Sequence, residues 1–291
     1  MIDIDIVCPV YKDSLYLEPL IKSFYLQKNV NIKNIVFPLT ISHTEEDDLN
    51  REIIKKYGIT SFEMEVKDFS HSLTREKAIR EYCKSRVVVM ISQDIVLTDE
   101  NVFYNLAKDI DSKECAFNFA RQISKYKNIE KYIRQKNYPK ESYFVEKKDI
   151  ETMGFMAYFS SDACSCYDRD VFIKLNGYGG YDIMMNEDAL YSKIILEAGY
   201  KKKYCADAIV EHSHKYSLKQ LYHRYYDTGV FQSTVDIFKD VKMESAGKSL
   251  AFYVLGQALK HFNIPVLFRW LPDMAARYLG LKKGKKEGSK K

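Results

Sequence analysis

Three short stretches carry residue types that could do chemistry together. Ser92-Gln93-Asp94 follows a run at 86–91 made almost wholly of β-branched residues and methionine, so its carboxylate lies just past the end of a buried strand. Asn186-Glu187-Asp188 stands directly before a helical pattern, where a carboxylate either caps the helix or faces a ligand at its N-terminus. Val210-Glu211-His212-Ser213-His214 ends an apolar strand with two imidazoles on one pleat face, an arrangement suited to a divalent metal, to phosphate, or to an ordinary surface pair. Together they make a chemical scheme. A hard cation on Asp94 and a His neutralises a diphosphate leaving group, while a separate carboxylate takes the proton from an attacking hydroxyl. Departure of a diphosphate is limited by the negative charge it gathers, so positive charge placed there lowers the barrier. Arg75, at the start of a helix, offers a second cation or a plain surface ion pair.

The elements that must position these residues alternate. Apolar runs at 4–10, 35–41, 62–66 and 86–91 predict strands, and helical spacing at 15–25, 49–57 and 72–84 predicts the helices between them, with a polar loop at 42–48. Further along, strands are expected at 155–159 and 204–210 and helices at 171–175, 189–198 and 217–231. Continuous apolar strands alternating with helices predict an α/β fold whose mostly parallel central sheet is covered on both faces. Ligands bind such sheets outside the carboxyl ends of the strands, which points to the loops at 8–13, 40–44, 69–75 and 92–96. Residues 251–281 are apolar and aromatic with Lys260, Arg269 and Arg277 interspersed, broken at Pro265 and Pro272. The organisation expected is a main domain over 1–232, a C-terminal helical extension over 233–281 and a disordered basic tail over 282–291.

Composition excludes several classes. The formal net charge of +5 arises in the last ten residues, which hold six Lys and one Glu; the rest of the chain is balanced, and no basic stripe for nucleic acid is present. Six Cys lack C-x-x-C spacing in a 291-residue chain, which fits a reducing cytosol, and the N-terminus alternates like a strand instead of forming a secretory signal. No apolar run reaches the roughly 18 residues that a transmembrane helix needs. The aromatic, cationic stretch at 252–281 with its lysine tail suits either an interfacial helix on an anionic membrane surface or packing on the main domain or a second subunit, which would make a homodimer.

The chain resembles family 2 glycosyltransferases of the GT-A fold, and among them the bacterial rhamnosyltransferases that use dTDP-L-rhamnose. The likeness runs in order over about residues 4–232. It includes Val7-Cys8-Pro9-Val10-Tyr11, the segment Phe69 to Arg75 beside F-x-H-G-x-T-R-N, Ser92-Gln93-Asp94 beside T-Q-D, Ala120-Arg121-Gln122 and Asn137-Tyr138-Pro139. It continues through Phe159 to Asp162, Asn186-Glu187-Asp188, Ala198-Gly199-Tyr200, the stretch from Val210 to Ser217, and Arg224 to Gly229. The resemblance implies inverting hexosyl transfer with Asp188 as general base. It implies a metal, Mg2+ or Mn2+, on Asp94 and a His of the pair His212 and His214, with His212 preferred because it ends the strand. It also implies nucleotide contacts from Pro9, Val10, Tyr11, Thr40, Ser42, His71, Arg75, Gln93 and Asp94, and sugar contacts from Asp162 and Glu187. The acceptor implied is a lipid-linked glycan of the cell surface, met in the cytoplasm or at the cytosolic face of the membrane.

The departures keep two other readings open. Thr40-Ile41-Ser42-His43-Thr44 replaces the usual D-x-x-S-x-D loop, Ser72 replaces a glycine and Glu76 an asparagine. A UDP-hexose or UDP-N-acetylhexosamine donor therefore stands beside dTDP-L-rhamnose. A catalytically silent scaffold in polysaccharide assembly is the third reading, disfavoured because a scaffold has no chemical use for both Asp94 and Asp188.

Overall fold

The computed structural model describes residues 1–234 and 244–290. The first half runs β1 (Ile2–Val7), α1 (Ser14–Tyr25), β2 (Val30–Ile41), α2 (Glu45–Lys56), β3 (Thr60–Glu65), α3 (His71–Lys77), β4 (Val87–Ile91), β5 (Ile95–Leu97) and α4 (Val102–Asp111). Then come β6 (Phe117–Ile123), α5 (Ile129–Asn137), β7 (Tyr143–Val145), α6 (Ile150–Met153), β8 (Cys164–Asp168), α7 (Arg169–Lys174), α8 (Glu187–Glu197) and β9 (Lys202–His212). Three long helices follow, α9 (Leu218–Thr234), α10 (Glu244–Lys260) and α11 (Ile264–Gly288).

All the strands join one sheet in the order β3-β2-β1-β4-β8-β6-β9-β5, with β7 also on β9. The strands β3, β2, β1 and β4 are mutually parallel, β8 runs against both β4 and β6, and β6 and β9 are parallel. Alternation along the strands builds two cores. Ile4, Ile6, Val87, Val89 and Ile91 face α1 and α4, whereas Val7, Val88 and Met90 face the opposite core with Phe172, Tyr191 and Leu196.

Several local expectations fail for identifiable reasons. Residues 155–159 are no strand: a single 3-10 turn, Gly154–Ala157, starts at Gly154 with φ 56°, and the strand that pairs with β4 is β8. The 42–48 stretch is a loop only as far as Thr44. Thr44 and Asp47 form a capping box, and Glu45, Glu46, Asp47 and Asp48 fill the first turn of α2, where carboxylates complement the helix dipole. The helix expected over 72–84 is α3 followed by one wide π turn, Ala78–Tyr82. Pro265 does mark a boundary, at the start of α11, but Pro272 lies within that helix.

The lysine-rich end, expected to be a disordered tail, is helical to Gly288. Gly280, Gly284 and Gly288 fall on one face of α11, and a methyl group on the first two would strike the carbonyl oxygens of Tyr222 and Tyr226 in α9. Equal steps along both helices show that α9 and α11 run in the same direction at backbone contact. Lysines set the composition of this segment, but the glycines at every fourth position set its structure.

Candidate active site

The first two loops of the sheet rim are joined edge to edge. Val10 donates to Pro38 O and accepts from Thr40 N, extending the parallel register past β1, so Pro9, Val10, Tyr11 and Thr40 share one rim. Beyond them Lys12 and Asp13 adopt left-handed backbone, at φ 53° and 47°. Gln93 holds that turn: its Nε2 donates to Lys12 O at 2.8 Å and Asp13 O at 3.0 Å, and its Oε1 accepts from Tyr11 N at 2.9 Å. Gln93, expected at the nucleotide, spends its amide on the loop. Ser42 is also engaged, since its hydroxyl and backbone N–H both bond the Asp47 carboxylate that caps α2.

A second cluster forms where β5 lies against β9. The register Ile95↔His212 sets Asp94 beside the strand's end. Asp94 Oδ2 lies 3.4 Å from His212 Nε2 and 3.7 Å from His214 Nδ1, and the two Nε2 atoms are 2.7 Å apart. One ligand atom from each residue falls within 4.8 Å of the others, a separation that one cation can bridge. His212 Nδ1 faces Gln122 Oε1 at 2.8 Å, which favours a proton there and leaves the Nε2 lone pair to the cluster. Arg134 donates to His212 O at 2.7 Å, and Tyr216 stacks on the His214 ring. Burial and then the His212 charge hold His214 down to about 4, so it is neutral at working pH. Burial opposes the charge of Asp94, but the hydrogen bond and charge of His212 prevail and lower its pKa. This donor set, one carboxylate and two imidazoles braced by outer partners, fits a divalent cation.

The third cluster is acidic and built around a buried cation. Arg75 Nη1 lies 3.2 Å from Glu187 Oε1 and donates to His71 O, while Nε is 3.7 Å from Asp162 Oδ2. Arg75 is 4% exposed, so the group expected to meet the diphosphate is turned inward onto the acids. Burial opposes its charge, but Glu187 and Asp162 more than compensate and raise its pKa. Burial, followed by the Arg75 and Arg224 charges, pushes His71 down to about 3. Asp162 accepts from Ser165 Oγ at 2.6 Å and from Tyr167 OH at 2.8 Å, yet burial lifts it to about 6.

Asp188 sits in the first turn of α8, after Asn186 at φ 67°, and accepts from Ala189 N at 2.6 Å and Asp162 N at 3.2 Å. Burial, then the charges of Glu187 and Asp162, raise its carboxyl well above the ordinary range. A raised pKa makes a carboxylate a stronger base.

These clusters connect. Gln122, bonded to His212 through Oε1, donates through Nε2 to Ser161 Oγ at 2.7 Å, next to Asp162, whose N–H bonds Asp188. Cys8 under the rim feels both Arg75 and Asp94. Asp94, His212, His214, Asp162, Glu187, Asp188, Arg75 and His71 therefore line one region, with Pro9, Val10, Tyr11 and Thr40 at its edge; Ser42 belongs to the cap of α2.

Both departures at 72 and 76 have structural uses. Ser72 is fully buried; its hydroxyl donates to Tyr181 O at 2.6 Å and accepts from Ile183 N at 3.0 Å. Glu76 accepts from Tyr178 N at 3.0 Å and fills the space beside Gly177. They fasten the 177–183 loop that leads to Glu187 and Asp188.

Gln122, Arg134 and Arg224 carry roles that the sequence reading did not assign. Arg224, on α9, is exposed, lies over the Tyr216 ring at 5.7 Å, and lowers the pKa of both His71 and His214 through its charge. Gln122 and Arg224 stood inside recognised segments; Arg134 lay in a stretch where no element was expected, and the structure places it on α5.

No protein-family model matches the chain. It is 31% identical over 234 residues to the O-antigen chain rhamnosyltransferase RfbN of Salmonella typhimurium, covering 78% of this chain and 73% of that protein. It is 29% identical over 253 residues to the O-antigen chain rhamnosyltransferase WbaN of Salmonella anatum, covering 85% and 79%. In three dimensions it is similar to the mannosyltransferase PcManGT of Pyrobaculum calidifontis, solved with GDP-Man and Mn2+, at TM-score 0.63 and 11% identity over 98% of this chain and 86% of that one. At that identity the likeness speaks for the fold, which is the GT-A glycosyltransferase fold.

Proposed function

The chain belongs to the glycosyltransferase family that includes the O-antigen chain rhamnosyltransferases, and we propose that it transfers L-rhamnose from dTDP-L-rhamnose, with inversion, to a hydroxyl of a lipid-linked glycan at the cytosolic face of a membrane. One observation carries the reading: the Asp94, His212 and His214 cluster and the Asp188 carboxylate lie along one rim, joined through Gln122 and Ser161.

In this scheme Asp188 accepts the proton of the acceptor hydroxyl as that oxygen bonds the anomeric carbon. The bond from that carbon to the diphosphate breaks on the opposite face, and the electron pair leaves with the diphosphate. A divalent cation on Asp94, His212 and His214 would supply positive charge to the leaving oxygens. Arg224, exposed and beside His71 and His214, is the side-chain cation assigned to the same charge. Asp162 and Glu187, braced on Arg75, are assigned to sugar hydroxyls, and Tyr11, which is 44% exposed, to the base.

A UDP-sugar donor is the second reading, favoured by one fact: the Ser42 and Thr44 hydroxyls bond each other, and Ser42 also bonds Asp47, which leaves the base-binding loop unlike the family's. The test is nucleotide release from dTDP-L-rhamnose, GDP-mannose, UDP-glucose and UDP-N-acetylglucosamine with Mn2+ present. Turnover confined to dTDP-L-rhamnose is expected; turnover of a UDP-sugar alone replaces rhamnose.

A further inference from the structure

We propose that the outward face of α11, together with the turn that precedes it, is a docking surface for an anionic lipid bilayer. The inner face of this helix carries Val266, Asp273, Arg277 and the glycines that meet α9. The opposite face should then be polar, as on an ordinary surface helix. It is apolar instead: Ile264, Phe268, Leu271, Tyr278 and Leu279 are 52%, 82%, 67%, 62% and 55% exposed, at helical spacing on one side. In the turn, Phe262 is 84% exposed and Leu259 on the last turn of α10 is 56% exposed. A contiguous apolar row of this kind marks an interaction site.

Charge identifies the occupant. The same stripe continues into Lys282 and Lys286, both exposed, and Lys260 stands exposed at the other end. The carboxylates of the helix are used elsewhere, Asp273 by buried Arg277 and Glu287 by Tyr226 and Lys283. With cations at both ends, any two-fold pairing with a second copy sets lysine against lysine, whereas anionic headgroups complement both ends. No helix among the described residues is long and apolar enough to cross a membrane, so the surface lies on the bilayer.

The inner face ties this surface to the site. Arg277 bonds Glu130, which lies 3.6 Å from Arg134, which in turn donates to His212 O. The inference deepens the proposed function by naming how the enzyme meets a lipid-linked acceptor, and its test needs no turnover, so failure of one reading is distinguishable from failure of the other.

The experiment is flotation of the full chain with vesicles of phosphatidylcholine, with or without about one part in three of phosphatidylglycerol, at low and high salt. The wild type is expected to float with anionic vesicles at low salt at least about tenfold better than with phosphatidylcholine alone, and to be weakened by salt. A Phe268→Glu/Leu271→Glu variant is expected to lose at least about tenfold in flotation while its thermal midpoint and donor hydrolysis persist, with Phe268→Ser as a milder second variant. Absence of flotation in every condition overturns the proposal. So does unchanged flotation of a folded Phe268→Glu/Leu271→Glu variant, or a wild-type dimer that these substitutions split without any vesicle binding.

Discussion

Asp188 and Glu187 are neighbours in sequence with different duties. Glu187 is tied to Arg75, whereas Asp188, among the described residues, accepts from two backbone N–H groups and keeps its basicity. Like charge from Glu187 is one cause of the raised Asp188 pKa, after burial. A base works as carboxylate, so the rate falls as pH drops through its folded pKa, and that limb lies above the ordinary aspartate value. Glu187→Gln removes the like charge, lowers the pKa and moves the acid limb of kcat/KM to lower pH; a limb that stays put or moves up counts against the assignment. At this scale, type and order made Asp94, Asp188 and the two histidines readable before any coordinates. The inward turn of Arg75 was not, because a sequence shows a cation but not which of several acids will neutralise it once buried.

The loop from 177 to 186 shows how an element can be held by residues that depart from a motif. Ser72→Gly restores the family's glycine but removes the hydroxyl that serves Tyr181 O and Ile183 N. The expected result is a loss of about 1–3 kcal/mol in urea unfolding, the cost of orphaning buried polar groups, with a lower kcat and an unchanged donor KM. An unchanged kcat would separate this loop from catalysis. Periodicity located the elements up to β4, since the strands there carry apolar residues either in continuous runs, as in β4, or in strict alternation, as in β1. It failed at 155–159, where aromatic residues imitate a strand but Gly154 starts a tight turn, and it passed over β8, whose Cys164-Ser165-Cys166 is small and mixed in polarity. In the last helix a lysine-rich composition hid a glycine stripe, because close helix contact depends on what side chains are missing.

Across the whole molecule, the pairing of β5 with β9 brings Asp94 to His212, although more than a hundred residues separate them. Alternation of strands and helices announced the α/β class, but not the reversal of β8 that sets β6 and β9 in place, since a single strand's direction leaves no mark on its pattern. The last two helices join α5 through charge as well as packing. Arg277→Met leaves Glu130 buried against Arg134 alone and is expected to cost about 3–5 kcal/mol in urea unfolding. Adding Glu130→Gln should recover much of that loss; no loss in the single variant would remove the link between α11 and the site.

The central claim, that one rim holds both a base and a cation site, is tested most directly by the rate of rhamnosyl transfer from dTDP-L-rhamnose in Asp188→Asn at saturating Mn2+. The account predicts a fall of about 10^2 to 10^4 with affinity for the nucleotide and Mn2+ retained. A variant that transfers sugar at the wild-type rate contradicts it.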